Sequence, residues 1–164
     1  MRDLDLKLLR AMRTRGHTPG MEAVAKALGK AGNNGLVWLV LGIVLALIDP
    51  SRRESWLICA ALGPIAIVLN YGIKLLVKRP RPVLEGLPPL GGAPSSLSFP
   101  SAHATSSFAV AVAMVRVDPA TASVLLAATA ISLCRPYLGM HYPSDVLAGA
   151  FIGVALGLVV PLSL

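Results

Sequence analysis

Long apolar stretches, separated by short polar segments, are the feature that most constrains the fold of this chain. Five of them follow residue 34, at 35–48, 55–73, 104–115, 119–134 and 146–164. Only 14% of the 164 residues are charged, whereas soluble domains carry about 25%. A span across a ~30 Å hydrocarbon core needs about 20 residues, so flanking polar residues must complete several of these helices. The pattern predicts an all-α, polytopic membrane bundle of about five spans.

The balance of charge and cysteine narrows the class of protein further. Fifteen Lys and Arg against eight Asp and Glu give a net charge of +7. In a soluble protein this excess would suggest a nucleic-acid partner, but in so apolar a chain it predicts cationic membrane flanks and an anionic ligand. Cys59 and Cys134 alone cannot build a disulfide scaffold. We expect one membrane domain over residues 1–164, with no nucleic-acid partner.

The first 34 residues differ from the apolar stretches that follow. Leu4, Leu8 and Met12 recur at helical spacing among basic residues, which is typical of an amphipathic helix lying on a membrane surface. Thr18 and Pro19 favour the start of a second short helix, which should end in the turn at 32–35. We expect residues 1–34 to form an interfacial segment and residues 35–164 to form the bundle.

Connectivity brings the polar residues between the apolar stretches to one end of the bundle. If each stretch crosses once, the second ends and the third begins on the same face, as do the end of the fourth and the start of the fifth. Ionisable residues at membrane depth are costly and indicate function. The residues that share this face are Lys74, Arg79, Arg81, Ser101, His103, Arg135, His141 and Asp145.

The composition of this cluster favours phosphoryl chemistry. A hydrolytic metal site needs several carboxylate, His or Cys ligands, whereas Asp145 and Glu85 are the acids near this end. Acyl transfer by Ser101 would leave several cations without a role. Arg and Lys suit the charge that spreads over phosphoryl oxygens in the transition state, and two histidines can serve as nucleophile and general acid. The residues predict a metal-independent site for a phosphate group.

Three short segments make this prediction more specific. In chain order they read Lys74-x6-Arg81-Pro82, Pro100-Ser101-Ala102-His103 and Arg135-x5-His141-x3-Asp145. Together they resemble the signature of the type 2 phosphatidic acid phosphatase family, over residues 70–150. The chain has Ala102 where that family usually has Gly, and Cys134 where it usually has Ser. Residues 97–106 are most similar to the small bacterial members that act on polyprenyl phosphates in cell-wall synthesis.

The resemblance implies the catalytic roles. His141 would attack phosphorus and form a phosphohistidine. Asp145 would hold the other ring nitrogen of His141, which fixes the tautomer and stabilises the imidazolium. His103 would protonate the leaving oxygen and then activate water. No metal or cofactor is implied, and the substrate would be a lipid phosphate whose tail stays in the bilayer.

The resemblance also implies a phosphate-binding set. Lys74, Arg81 and Arg135 would clamp the phosphate oxygens. Ser101 and the backbone N–H groups from Ala102 onward lie at the start of a helix, where the helix dipole favours an anion. Cys134 would lose one hydroxyl hydrogen bond relative to the family serine.

Several interpretations stay open on the sequence alone. Phosphatidylglycerol phosphate, phosphatidic acid and polyprenyl diphosphate are alternative substrates, and a haloperoxidase-like vanadate enzyme and a non-catalytic scaffold are alternative classes. Arg79 is expected to contact lipid headgroups. The Pro- and Gly-rich segment 82–100 is expected to cover the phosphate pocket, with Leu84, Leu87 and Leu90 facing lipid or the substrate tail.

The distribution of positive charge predicts the orientation in the bacterial plasma membrane. Seven Lys and Arg lie in residues 1–34, on the catalytic side, against Arg52, Arg53 and Arg116 on the other side. The positive-inside rule then places the active site on the cytoplasmic face.

Overall fold

The computed structural model describes residues 2–91 and 97–163, and these residues form seven α-helices, joined by short turns except for the long connection between the fourth and fifth helices. None of the described residues lies in a strand, so the predicted all-α class is confirmed. The helices are α1 (Arg2–Thr14), α2 (Pro19–Ala31), α3 (Leu36–Ile48), α4 (Arg53–Val77), α5 (Ala102–Val117), α6 (Val124–Tyr137) and α7 (Pro143–Val159). Short 3-10 turns precede α3, α4 and α6, at Asn33–Gly35, Pro50–Arg52 and Pro119–Ser123.

Helix length and apolarity single out α4 as the helix that could span a membrane. With its preceding turn it forms a continuous stretch of 28 residues, Pro50–Val77, which exceeds the about 20 residues that cross a bilayer. Helices α2 and α3 pass the same test together but bend by 52° at their junction. Helices α5 and α7 are apolar but have 16 and 17 residues. Among the described residues, length and composition thus identify one span, or two when the bent pair counts as one.

Helix α5 lies at the centre of the bundle, packed against α4, α6 and α7. Gly149, Gly153 and Gly157 line the face of α7 that meets the α5 backbone. A Cβ added at Gly153 would lie 2.5 Å from the carbonyl oxygen of Thr105, so this approach requires glycine. Small residues at four-residue spacing allow apolar helices to pack this closely. The contact fixes the first turn of α5 beside the first turn of α7.

Buried hydrogen bonds attach α3 and α4 to the same central helix. Trp38 of α3 donates from Nε1 to Ser107 Oγ at 2.9 Å. Asn70 of α4 donates from Nδ2 to Thr105 Oγ1, also at 2.9 Å. Because an unpaired polar group in an apolar interior is costly, such paired groups fix the register of the helices.

The outer surface of the bundle is unusually apolar. Large aliphatic and aromatic side chains that are at least two-thirds exposed occur on most of the apolar helices, and soluble monomers rarely expose so much contiguous apolar surface. They include Leu47, Ile48, Val68, Leu76, Leu126, Leu147, Phe151 and Val159. This surface fits an environment of lipid.

The N-terminal helix has two different faces. Leu4 and Leu8 are exposed, as expected for a helix lying against lipid, whereas Asp5, Leu9 and Arg13 are buried against the rest of the protein. The second predicted helix is present as α2, with Thr18 accepting a hydrogen bond from the Met21 N–H at 3.2 Å. Helix α2 packs against α6, so residues 1–34 join the bundle.

Candidate active site

Four of the five predicted phosphate-binding residues line one pocket of about 200 Å³. It lies where α4 ends, α5 begins and α6 ends, as the connectivity predicts. Its wall also contains residues from the junction of α2 and α3, which sequence analysis did not assign to the site. The lining residues are Gly32, Asn33, Asn34, Ile67, Lys74, Arg81, Ala102, His103, Arg135 and His141.

His141 and Arg81 make a contact that defines the state of the histidine ring. The guanidinium Nη1 of Arg81 lies 3.3 Å from His141 Nε2 and donates to the Met140 carbonyl oxygen at 2.5 Å. A guanidinium can only donate, so Nε2 in this contact carries a lone pair. The proton of a neutral imidazole then belongs on Nδ1, and Nε2 is the nitrogen able to act as a nucleophile.

The other side of the His141 ring faces Asp145. The distance from Nδ1 to Asp145 Oδ2 is 3.5 Å, longer than a normal hydrogen bond, so the pair is aligned but not closely bonded. Asp145 is fully buried, and its Oδ2 accepts from the Tyr142 N–H at 2.9 Å. Burial lowers the pKa of His141 to about 4, and Arg81 and Arg135 act in the same direction while Asp145 opposes them. The ring is therefore neutral near pH 7.

Arg79, which the sequence analysis expected at lipid headgroups, is bound by side chains of the protein. Its Nη1 donates to Asp145 Oδ1 at 2.7 Å and to Ser144 Oγ at 2.7 Å, and its guanidinium lies 3.9 Å from the centre of the Tyr142 ring. The spacing from Lys74 correctly favoured Arg81 for the pocket. It could not show that a second arginine two residues earlier would turn toward the buried carboxylate instead.

Asp5 of α1 completes this ion-pair network, and no sequence motif pointed to it. Its Oδ2 accepts from Arg79 Nη2 at 2.8 Å, and its Oδ1 accepts from the Ser144 N–H at 3.0 Å. Burial raises the pKa of Asp5, but hydrogen bonds from Ser144 and Arg79 outweigh this effect and the pKa falls below its usual value. The N-terminal helix is thereby fastened to the first turn of α7.

His103 is held by the main chain of α2. Its Nε2 lies 3.0 Å from the Gly29 carbonyl oxygen, which can only accept, so Nε2 carries the proton in this arrangement. A Cβ added at Gly32 would lie 2.8 Å from the His103 ring, so the chain passes directly over this histidine. The missing side chain at Gly32 explains this close approach, whereas a Cβ at Gly29 would lie 3.0 Å from Arg135 Nη1.

The remaining predicted residues lie in or directly behind the pocket. Lys74 is buried and donates from Nζ to the Leu97 carbonyl oxygen at 2.7 Å. Arg135 is 5% exposed, and its Nε has no hydrogen-bond partner among the described residues. Ser101 is fully buried, with its N–H bonded to the Asp145 carbonyl at 3.0 Å and its Oγ without a partner in the described structure. Cys134 lies outside the pocket wall and donates to the Ile131 carbonyl at 3.0 Å.

The connection after α4 packs on the protein more tightly than the sequence suggested. Leu90, expected to face lipid or the substrate tail, is half-buried: its N–H donates to the Leu138 carbonyl at 3.0 Å, and its side chain packs beside Met140. Arg13 of α1 donates to the Pro88 carbonyl oxygen at 2.6 Å. Residues 92–96 of the predicted cover lie outside the described residues. The described part is a wall that α1 holds in place.

The arrangement is suited to binding a phosphoryl group and attacking it. Three cationic side chains, a neutral histidine whose Nε2 carries a lone pair, and the start of α5 all face one small space. Cations and helix N-termini stabilise the charge of a phosphoryl transition state. No three His, Cys, Asp or Glu side chains in the described segments are grouped so as to hold a metal ion. Fold and site together define an all-helical phosphate-processing enzyme.

Comparison with known proteins gives the family. Residues 37–164 match the PAP2 superfamily, and the chain belongs to it. It is 40% identical to the decaprenylphosphoryl-5-phosphoribose phosphatase of Mycobacterium tuberculosis over 142 residues, covering 87% of this chain and 80% of that protein. The chain is a phosphatase of this superfamily.

Solved structures show the same fold. The transmembrane PAP2-type phosphatidylglycerolphosphate phosphatase of Bacillus subtilis superposes with a TM-score of 0.80 at 24% identity, covering 96% of this chain and 83% of that one. LpxE of Aquifex aeolicus superposes with a TM-score of 0.76 at 25% identity, covering 95% of this chain and 93% of that one. The chain therefore has the fold of PAP2 membrane phosphatases.

Proposed function

We propose that this protein removes the terminal phosphate of a membrane lipid through a phosphohistidine on His141. The observation that carries the proposal is the contact between Arg81 and His141 Nε2, which places the nitrogen that bears the lone pair of the ring at a cationic pocket. An incoming phosphate would have to take over the Arg81 donor before Nε2 attacks. The pKa of about 4 supports the proposal, because the ring is an unprotonated nucleophile at neutral pH. Roles for Asp145 as the orienting group and His103 as the acid complete the catalytic set.

The proposed reaction has two steps. In the first, His141 Nε2 attacks phosphorus, the bond from phosphorus to the leaving oxygen breaks, and His103, protonated on both ring nitrogens for this step, supplies the proton that oxygen needs and becomes neutral. In the second, His103 takes a proton from water, the water oxygen attacks phosphorus, and the bond from phosphorus to Nε2 breaks. Inorganic phosphate leaves and both histidines return to their first state. His103 must exchange its bond to Gly29 for one to the leaving group.

The phosphate would be held by the cations and the helix start. Lys74, Arg81 and Arg135 line the pocket and are placed to contact its oxygens. The N–H groups of Ala102 and His103 begin α5, and the unpartnered Oγ of Ser101 lies beside them. The donor set supports a metal-independent reaction, since positive charge comes from side chains.

A polyprenyl-linked phosphate is the substrate we favour. The similarity to decaprenylphosphoryl-5-phosphoribose phosphatase covers most of both chains and supports it. Phosphatidylglycerol phosphate, phosphatidic acid and polyprenyl diphosphate are the alternatives. At about 200 Å³ the pocket is smaller than the about 300–1,000 Å³ of pockets that enclose drug-sized ligands, so the lipid tail would remain outside it.

The test is phosphate release by the purified protein from a panel of these lipids in detergent. We expect hydrolysis that survives EDTA and is inhibited by vanadate, which can mimic five-coordinate phosphorus. Complete loss in EDTA, restored by a divalent ion, would contradict the metal-independent mechanism. Bromide or iodide oxidation with vanadate and peroxide would indicate a haloperoxidase, and release from no lipid would leave a scaffold.

We also propose that the whole chain is one catalytic domain with five crossings of the plasma membrane. The bent pair α2–α3 would form the first crossing and α4 to α7 the others. Helix α1 lies on the catalytic side, since Asp5 and Arg13 bind Ser144 and Pro88 there. Of the seven basic residues that predicted a cytoplasmic site, Arg13 is buried and Lys26 and Lys30 lie in α2. Four basic residues then remain on the catalytic side against three on the other side. The positive-inside rule still favours a cytoplasmic site, but by a smaller margin.

Cysteine labelling decides the orientation. Glu85 and Ala122 are exposed at opposite ends of the bundle, so each can be replaced by a single cysteine. The native Cys59 and Cys134 are first replaced. With an impermeant thiol reagent on intact cells, a cytoplasmic site predicts labelling at position 122 but not at 85. The reverse pattern would overturn the cytoplasmic assignment.

A further inference from the structure

A second cavity adjoins the phosphate pocket. Its volume is about 340 Å³, and it shares Asn33 and Arg135 with the phosphate pocket as common wall. Helix α2 forms one side, and Leu138, Met140 and Gly91 form the other. This second cavity is the larger of the two spaces, but it has no role in the two reaction steps proposed for the histidines.

The charge of this cavity is entirely positive. Lys26 and Lys30 lie one turn apart on α2 and both line it, together with Arg135. Lys30 has no hydrogen-bond or ion-pair partner among the described residues, and Lys26 pairs only with Glu22, at 3.7 Å. Among the described residues, no Asp or Glu lies in its wall. Like charges at this spacing destabilise a helix, so an anion between them would relieve the repulsion.

Arg135 connects the two spaces electrostatically. It is 5% exposed and its Nε lacks a partner in the described structure, so a buried donor remains unused at the boundary. A buried unpaired charged group is costly, which favours binding of an anion on either side of it.

The position of His103 indicates which part of a substrate would enter this cavity. His103 lies in the phosphate pocket, and its Nε2 is hydrogen-bonded to the carbonyl oxygen of Gly29. Gly29 also lines the second cavity. If His103 protonates the leaving oxygen, the leaving group continues from that oxygen toward Gly29. The second cavity would therefore lie on the leaving-group side of the phosphorus, opposite the His141 nitrogen that attacks it.

We propose that Lys26 and Lys30 form a subsite for a second anionic group carried by the leaving group. The preferred substrates would then be lipids with two phosphate groups, either a diphosphate or a phosphate ester that also contains a phosphodiester. Lipids with a single phosphate would leave the lysines unpaired. This inference rests on the proposed function and narrows its substrate class.

The test compares substrates that differ in the second anion. Phosphatidylglycerol phosphate and phosphatidic acid with identical acyl chains form one pair, and a polyprenyl diphosphate and monophosphate form another. In the double variant Lys26→Gln/Lys30→Gln we expect KM for the two-phosphate lipids to rise about tenfold, while KM for the one-phosphate lipids stays within about twofold. Lys30→Arg, which keeps the charge, should retain the wild-type preference.

The control variant is Lys7→Gln/Arg10→Gln, which removes two exposed cations of α1 that line a separate cavity. It should change neither KM. An equal rise for one-phosphate and two-phosphate lipids in the Lys26/Lys30 variant would show general attraction to anionic lipid, and would overturn the subsite. No change for either lipid would overturn it too.

Binding to an inactive protein separates this proposal from the proposed function. Affinity for phosphatidylglycerol phosphate is measured on His141→Ala with and without the two lysine changes. A loss of about tenfold on lysine replacement supports the subsite even if no lipid is hydrolysed by the wild type. Unchanged affinity contradicts the subsite even if hydrolysis is normal.

Discussion

Asp5 and Asp145 lie on either side of one guanidinium, with carboxylate oxygens 2.8 and 2.7 Å from the two terminal nitrogens of Arg79. The two acids are far apart in the sequence, one in α1 and one in α7. Because Asp145 also faces His141, the network extends from the N-terminal helix to the proposed nucleophile. An arginine that donates to two carboxylates at once restricts the orientation of both.

Replacing Asp5 by Asn should therefore impair catalysis without touching the pocket. Arg79 loses one of its two carboxylates, and Asp145 is then held less firmly beside His141. We expect kcat to fall about tenfold, equivalent to about 1.4 kcal/mol in activation free energy, with little change in KM. Asp3→Asn, at an exposed position of the same helix, is the matched control. A kcat for Asp5→Asn within about twofold of wild type would show that α1 only anchors the chain.

The state of His141 can be measured directly, because the protein contains three histidines. Its pKa of about 4 predicts no titration of this ring between pH 5 and 8, whereas an ordinary histidine has a pKa of 6.5. Arg81→Gln removes a positive charge that opposes protonation, so the pKa should rise toward 6.5. NMR of protein labelled with ¹³C at histidine Cε1 follows both, with His141→Ala to assign the signal. A wild-type midpoint near 6.5 would contradict the neutral, buried nucleophile.

Replacing His103 by Ala should slow the reaction in a way that depends on the leaving group. The acid is needed least when the leaving oxygen is already a weak base. We expect the loss in kcat/KM to be about 10²–10⁴-fold for an alkyl phosphate, which is the range for general acid catalysis, and much smaller for p-nitrophenyl phosphate. Equal losses for both substrates would assign His103 to phosphate binding alone.

The close contact of α5 and α7 should make the stability of the protein far more sensitive to alanine at Gly153 than at Gly72. Gly153→Ala places a Cβ 2.5 Å from the Thr105 carbonyl oxygen, and the resulting strain should cost about 1–3 kcal/mol of stability. Gly72→Ala in α4 meets no atom within 4 Å and should be neutral or stabilising. Thermal unfolding in one detergent compares the two. Equal melting temperatures would show that the helices can separate at little cost.

Sequence alone could predict that cations and histidines from separate segments meet at one pocket, and the reason is topological. Lys74, His103 and Arg135 lie at the ends of apolar helices, so alternating crossings bring them to one face whatever the details of packing. The all-α class followed from the same apolar stretches. Neither inference needed a distance.

What sequence could not predict depends on packing between distant segments. Gly29 and Gly32 carry no functional side chain, yet the backbone of α2 holds His103 and forms part of the pocket wall. Asp5 contacts Arg79 only because the face of α1 that carries Asp5 packs against the rest of the protein. One signal was present: Asp5, Leu9 and Arg13 recur every four residues, a buried stripe separate from the exposed Leu4 and Leu8.

The central claim is that His141 carries the phosphoryl group during turnover, and trapping that intermediate tests it most directly. Protein is mixed with a ³²P-labelled lipid phosphate, quenched in alkali within milliseconds and digested. His103→Ala should increase the labelled fraction if water attack then becomes the slower step. We predict label on the peptide that contains His141, stable in alkali and lost in acid, and no label in His141→Ala. Phosphate release at the normal rate by His141→Ala, or label on any other residue, would contradict the mechanism.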